Sequence, residues 1–88
     1  MPDLRDTLRM LRNENTSVRL AAVYMESVIH ERRGTARLPL REVAAGTGLS
    51  KDTSYRAVNR LMRLGFIQQM KSGIRGNGSV YCMSGRIR

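Results

Sequence analysis

Apolar side chains recur along this chain at helical intervals in four stretches and at shorter, extended intervals in three. Over residues 3–12, Leu4, Leu8 and Leu11 fall on one side with Met10 beside them. Asp3, Arg5, Asp6, Arg9 and Arg12 fall elsewhere, which predicts a short amphipathic helix. The cluster Asn13, Glu14, Asn15, Thr16 and Ser17 is rich in N-cap types and predicts a break followed by a new helix start. Val18, Ala21, Ala22, Met25, Val28 and Ile29 then repeat three and four apart, predicting a second helix to about Arg33. Glu26, Glu31, Arg32 and Arg33 lie mostly off its apolar stripe. Gly34 suits the position after that helix, because it takes the left-handed conformation without Cβ strain.

Residues 35–40 are short and contain Pro39, so they predict an edge strand or extended linker. Leu40, Val43 and Ala44 return to helical spacing, and Gly46, Thr47 and Gly48 stop it. Ser50 is a strong N-cap whose hydroxyl can accept a free N–H of the first turn formed by Lys51, Asp52 and Thr53. That helix is predicted to reach Leu64 and end at Gly65. Residues 66–70, with Phe66 or Ile67 turned inward, and residues 80–83 read as paired strands. Between them Gly73, Gly76, Asn77 and Gly78 make a hairpin loop that also carries Lys71 and Arg75.

On a helical wheel, residues 50–65 place Ser54, Ala57, Val58 and Leu61 on one face, with Met62 and Leu64 at its edges. The opposite face carries Asp52, Arg56, Asn59 and Arg63, flanked by Tyr55 and Arg60. Charge gives that face its meaning. Lys and Arg number 16 against 7 Asp and Glu, for a net +9. Residues 1–48 hold eight basic and six acidic side chains, whereas residues 49–88 hold eight basic and one acidic, so the positive field belongs to the second half. A polyanion is the expected partner there.

Two helices joined by a tight glycine turn and followed by a β-hairpin form the order of a winged helix-turn-helix. The fold class predicted is α+β, mainly α, with an extra N-terminal amphipathic helix and a C-terminal β-hairpin wing. One helix fills the major groove of duplex DNA, where base edges present a distinct donor and acceptor code. The residues Leu38-Pro39, Val43-Ala44, Gly48-Leu49-Ser50, Thr53, Ala57, Leu61, Gly65-Phe66-Ile67 and Gly76-Asn77-Gly78 with Val80 resemble the winged helix DNA-binding domain of bacterial GntR-type regulators. Ser54 stands where that family is usually apolar. The resemblance covers residues 34–83 and implies double-stranded DNA binding, with contact positions at Lys51, Asp52, Thr53 and Tyr55. The wheel independently nominates Arg56 and Asn59, with Arg60 and Arg63 beside them. Arg pairs with guanine O6 and N7 and Asn with adenine N6 and N7, so Arg56 or Tyr55 and Asn59 are expected to face bases. Lys51 and Thr53 are expected on phosphate, Arg41 likewise at the start of the first motif helix, and Lys71, Arg75 and Asn77 in the wing.

Other chemistries find little material. The single histidine, His30, and single cysteine, Cys82, cannot assemble a zinc site of the usual kind or an intrachain disulfide. His30 is expected to sit favourably at a helix end, Cys82 to be a buried small hydrophobe, and Tyr24 to be packing. Paired carboxylates are missing from the basic half and a Ser-His-Asp set would spend the only histidine, so no enzyme is expected; no cofactor or metal is expected either, and no small-molecule effector is evident. Residues 1–12 lack a signal peptide's apolar run and nothing approaches a membrane span, which predicts a cytoplasmic protein; a prokaryotic, plasmid or viral origin is what the GntR-type resemblance suits. Residues 1–15 are expected to form an N-terminal dimerisation arm, and residues 16–88 the winged helix domain. The leading functional reading is a dimeric transcription repressor at a promoter or operator. The rivals are a plasmid or viral origin-binding replication protein and a winged helix that binds RNA or the ribosome.

Overall fold

Capping side chains start two of the helices in this chain. In the computed structural model, which describes residues 4–71 and 78–84, α1 (Leu4–Met10) leads into α2 (Thr16–Glu31). Asn15 starts α2 by accepting the Val18 N–H on its Oδ1 at 2.9 Å. The helix stops two residues before the predicted end. Arg33 N–H bonds the His30 carbonyl at 3.0 Å and Gly34 N–H bonds the Ile29 carbonyl at 2.8 Å. The first left-handed residue is therefore Arg33, at φ 64°, and Gly34 follows at φ 113°. The division has a steric reason. An L side chain tolerates φ near 60° at about 1–2 kcal/mol, whereas the wider angle needs glycine.

After Pro39, helix α3 (Leu40–Thr47) runs into a turn at Gly48, whose φ of 78° lets its N–H reach the Ala44 carbonyl. The Thr47 hydroxyl donates to the Val43 carbonyl at 2.7 Å and accepts the Leu49 N–H at 3.3 Å, fixing the approach to α4 (Lys51–Arg63). Three antiparallel strands, β1 (Thr35–Leu38), β2 (Ile67–Lys71) and β3 (Ser79–Met83), lie in the order β1-β3-β2. The architecture is the predicted winged helix-turn-helix. Its sheet is larger than a hairpin, because β1 pairs along the free edge of β3, with Thr35 opposite Cys82 and Leu38 opposite Ser79.

The core joins Val18, Ala21, Ala22, Met25 and Ile29 of α2 to Val43 of α3, Ala57, Val58 and Leu61 of α4, and Ala36, Leu38, Ile67 and Tyr81 of the sheet. Small residues on α2 let its neighbours approach closely. Tyr24 packs against this cluster, as expected. Phe66 and Ile67 are both buried, where the sequence offered one or the other. Leu11, at the end of the first helix, is 1% exposed and belongs to the core. Two expectations are corrected by packing. Glu26 is buried, its Oε1 accepting the Thr7 hydroxyl at 2.7 Å and so tying α1 to α2. Cys82 is only half-buried, because Tyr81 and Met83 take the inner face and strand alternation turns residue 82 outward.

Candidate nucleic-acid interface

Helix α4 begins where the Ser50 Oγ accepts the Thr53 N–H at 3.1 Å; the Ser50 hydroxyl also donates to the Thr53 Oγ1 at 2.9 Å. From that cap onward the four residues assigned inward by the wheel, Ser54, Ala57, Val58 and Leu61, are the four that are buried. The same rotation leaves Lys51, Asp52, Tyr55, Arg56, Arg60 and Arg63 exposed and Asn59 and Thr53 half-exposed. Tyr55 stands out at 60% exposure.

Open grooves flank the outer side of α4. One, toward the start of α2, is lined by Asn15, Ser17, Arg56 and Arg63 among others. The second, toward the sheet, is lined by Arg41, Lys51, Asp52, Gln69, Gly78 and Ser79 among others. Tyr55 and Asn59 line both, so they form the ridge between the two grooves. Their spacing of four residues keeps them on one side of the helix. A ridge with a groove on each side is a shape that can enter a duplex groove while the walls meet its backbones.

The hairpin approaches this ridge from the base of β2 and β3. Residues 67, 68 and 69 pair regularly with 83, 82 and 81, but Lys71 pairs with Val80, so Met70 is the extra residue of a β-bulge. Met70 and Lys71 are exposed there. Gly78 closes the hairpin at φ 84°, and its carbonyl accepts the Arg37 Nη1–H at 3.0 Å. A Cβ at this position would lie 2.6 Å from the Pro39 Cα and 2.8 Å from the Leu38 carbonyl carbon. The wing is thereby seated directly against the entry to α3.

The predicted set is thus largely brought together on one side of the molecule: Lys51, Asp52, Thr53, Tyr55, Arg56, Asn59 and Arg63 on α4, with Arg41 on the adjoining groove wall. Lys71 sits on the exposed hairpin base; Arg75 and Asn77 lie outside the described residues. Arg60 differs. Its Nε and Nη2 bond the two carboxylate oxygens of Glu14 at 2.8 and 3.1 Å. The hydrogen bond from Arg60, aided by its charge and opposed by burial, holds the Glu14 carboxyl below its ordinary value; the same bond raises Arg60. Sequence reasoning missed Glu14, Gln69 and Ser79 as groove-wall residues. Polar side chains at alternate strand positions were the available signal for Gln69.

Among the described residues, no group of three or more His, Cys, Asp or Glu could hold a metal ion, and no helix is long and apolar enough to cross a membrane. No curated protein and no solved structure matches the chain. Residues 28–70 match the family model of the IclR helix-turn-helix domain, a stretch from the last turn of α2 through β1, α3, α4 and most of β2. That finding replaces the GntR-type resemblance, which it does not support; winged helix families share their core spacing, so that spacing alone did not separate the two. The fold, the outward face of α4 and this match agree that the chain carries a winged helix-turn-helix of the DNA-binding, transcription-regulating class, similar over residues 28–70 to the IclR helix-turn-helix domain.

Proposed function

We propose that the chain binds a specific double-stranded DNA site as a dimer and represses transcription by occupying a promoter. The observation that carries this reading is the solvent-facing row of Tyr55, Arg56, Asn59 and Arg63 on a helix whose other side is core. Arg56 and Asn59 read base edges, through guanine O6 and N7 and adenine N6 and N7, and Tyr55 stands with Asn59 on the ridge that enters the groove. Lys51 and Arg41 hold phosphates along the groove toward the sheet, where Asp52 also lies, and Thr53 and Arg63 hold them along the groove toward α2. Lys71, with Arg75 and Asn77, brings the wing to the neighbouring backbone.

Dimerisation is supported by Leu8 at 43% and Met10 at 55% exposure, since apolar side chains on the arm formed by residues 1–15 gain by meeting a second copy. It also suits the chemistry. One recognition helix covers a few base pairs, and two on a symmetric site a helical turn apart multiply the specificity. Repression requires only that the promoter be occupied.

Selection from a random duplex library followed by footprinting tests the reading. The selected site should bind at least ~10³-fold tighter than random duplex, and folded RNA should not displace it. Arg56→Ala or Asn59→Ala should cost about 1–3 kcal/mol on that site and relax the preference at one base pair. Equal affinity for all duplexes, or helix substitutions without effect, sinks the assignment. Sedimentation at micromolar concentration showing only a 10.0 kDa species removes the dimer.

A further inference from the structure

The cations on the outer side of α4 are not all in the same state. Arg56 and Arg63 are exposed on the groove toward α2, but Arg60 between them is held by Glu14 through two hydrogen bonds. Glu14 is the one acidic residue among those that line this groove. It is also firmly placed. Its N–H bonds the Leu11 carbonyl at 2.9 Å, Leu11 is core, and the next residue is Asn15, the cap of α2. The Glu14 side chain is 17% exposed against 48% for Arg60, so the carboxylate is the anchored partner and the guanidinium is the one drawn to it. The bidentate fork fixes direction as well as distance.

We propose that Glu14 is a positioning residue that masks Arg60, keeping one of the recognition helix's arginines out of the set that meets DNA phosphate. The inference rests on the DNA-binding reading above. Sequence-independent attraction to duplex grows with the number of phosphates neutralised, each adding about 0.9 to the slope of log affinity against log salt. Arg60 stands one turn from both Arg56 and Arg63 and would join them if released. The mask therefore lowers retention on the excess of random sites through which a DNA-binding protein must search, while Asn59 on the ridge and Arg56 beside it stay untouched.

The test is salt-dependent affinity for a random duplex, measured by fluorescence anisotropy with the full chain. Glu14→Gln should steepen the slope by about 0.9, which between 1 M and 0.15 M salt corresponds to binding tighter by about fivefold. Glu31→Gln, an equal change of charge at the far end of α2, should leave the slope unaltered. In an Arg60→Ala background, Glu14→Gln should also leave it unaltered, and Arg60→Ala alone should not flatten the wild-type slope. A flatter slope in Arg60→Ala, or the same gain from Glu14→Gln with and without Arg60, overturns the mask. If Glu14→Gln fails to fold by circular dichroism, Arg60→Ala alone decides the question. A wild-type protein with no salt-dependent duplex affinity defeats the DNA-binding reading itself and the mask with it. A steep wild-type slope that Glu14→Gln does not change defeats the mask alone.

Discussion

Replacing Ser54 with alanine should make this protein more stable. Ser54 is 0% exposed, lies on the core side of α4 beside Ala57, Val58 and Leu61, and its Oγ has no hydrogen-bond partner among the described residues. A hydroxyl buried this way has lost its water without replacement, at a cost of about 1–3 kcal/mol. Alanine removes that cost and adds roughly 0.5 kcal/mol of helix propensity. Against this stands the loss of one oxygen's dispersion contacts, each about 0.1–0.2 kcal/mol. The balance favours Ser54→Ala by about 1–2 kcal/mol, and each kcal/mol in a domain of this size raises Tm by about 4–8 °C. Thermal unfolding followed by circular dichroism measures the shift, and urea unfolding with an unchanged m-value checks that the native state alone has changed. Duplex affinity should stay as it was, because the outward side chains of α4 keep their places. A Tm that stays level or falls, with m unchanged, would mean that the hydroxyl is satisfied in solution and that the reasoning is wrong.

Thr7→Val should cost about 1–3 kcal/mol in urea unfolding, because it strips the buried Glu26 carboxylate of the hydroxyl that α1 supplies; a loss well below that range would show α1 is not tied there. Gly78→Ala should lower Tm and weaken duplex binding together. The left-handed angle alone costs about 1–2 kcal/mol and the new methyl runs into the Pro39 backbone, so an unaltered melt with full affinity would refute the wing seat. The Glu14–Arg60 pair sets a pH dependence. The folded Glu14 carboxyl titrates below its ordinary value of 4.5, so its stabilising contribution is complete above that value and fades as pH falls through the lowered one. The Tm gap between wild type and Glu14→Gln should close in acid; a gap constant from about pH 7 to about pH 3 contradicts it.

The helices were legible because two independent signals coincide in them. For α4, the apolar period and the Ser50 cap name one helix, the cap its start and the period its inward face. Capping also announced α2, although two residues shared its exit where one glycine was expected. Strand β1 was ambiguous for a physical reason. Four residues with alternating burial and an arginine among them look like a linker until a partner more than forty residues away supplies the ladder. The fates of Leu11 and Glu26 depended in the same way on α1 folding back over α2, which periodicity within one helix does not encode. At the interface, the wheel gave the direction of each side chain but not what it would meet. Arg60 points outward as the wheel requires, and only the returning loop before α2 brings Glu14 to it. The hairpin tip carried the clearest turn residues, yet Arg75 and Asn77 lie outside the described structure.

Strand β3 is both the return leg of the hairpin and the middle of the sheet, hemmed by β2 on one edge and β1 on the other. Strand β1 in turn feeds without a spacer, through Pro39, into the first of the two motif helices. Tugging on the wing thus pulls on the stalk that carries the reading head, and the two halves of the interface behave as a single lever rather than as separately sprung fingers.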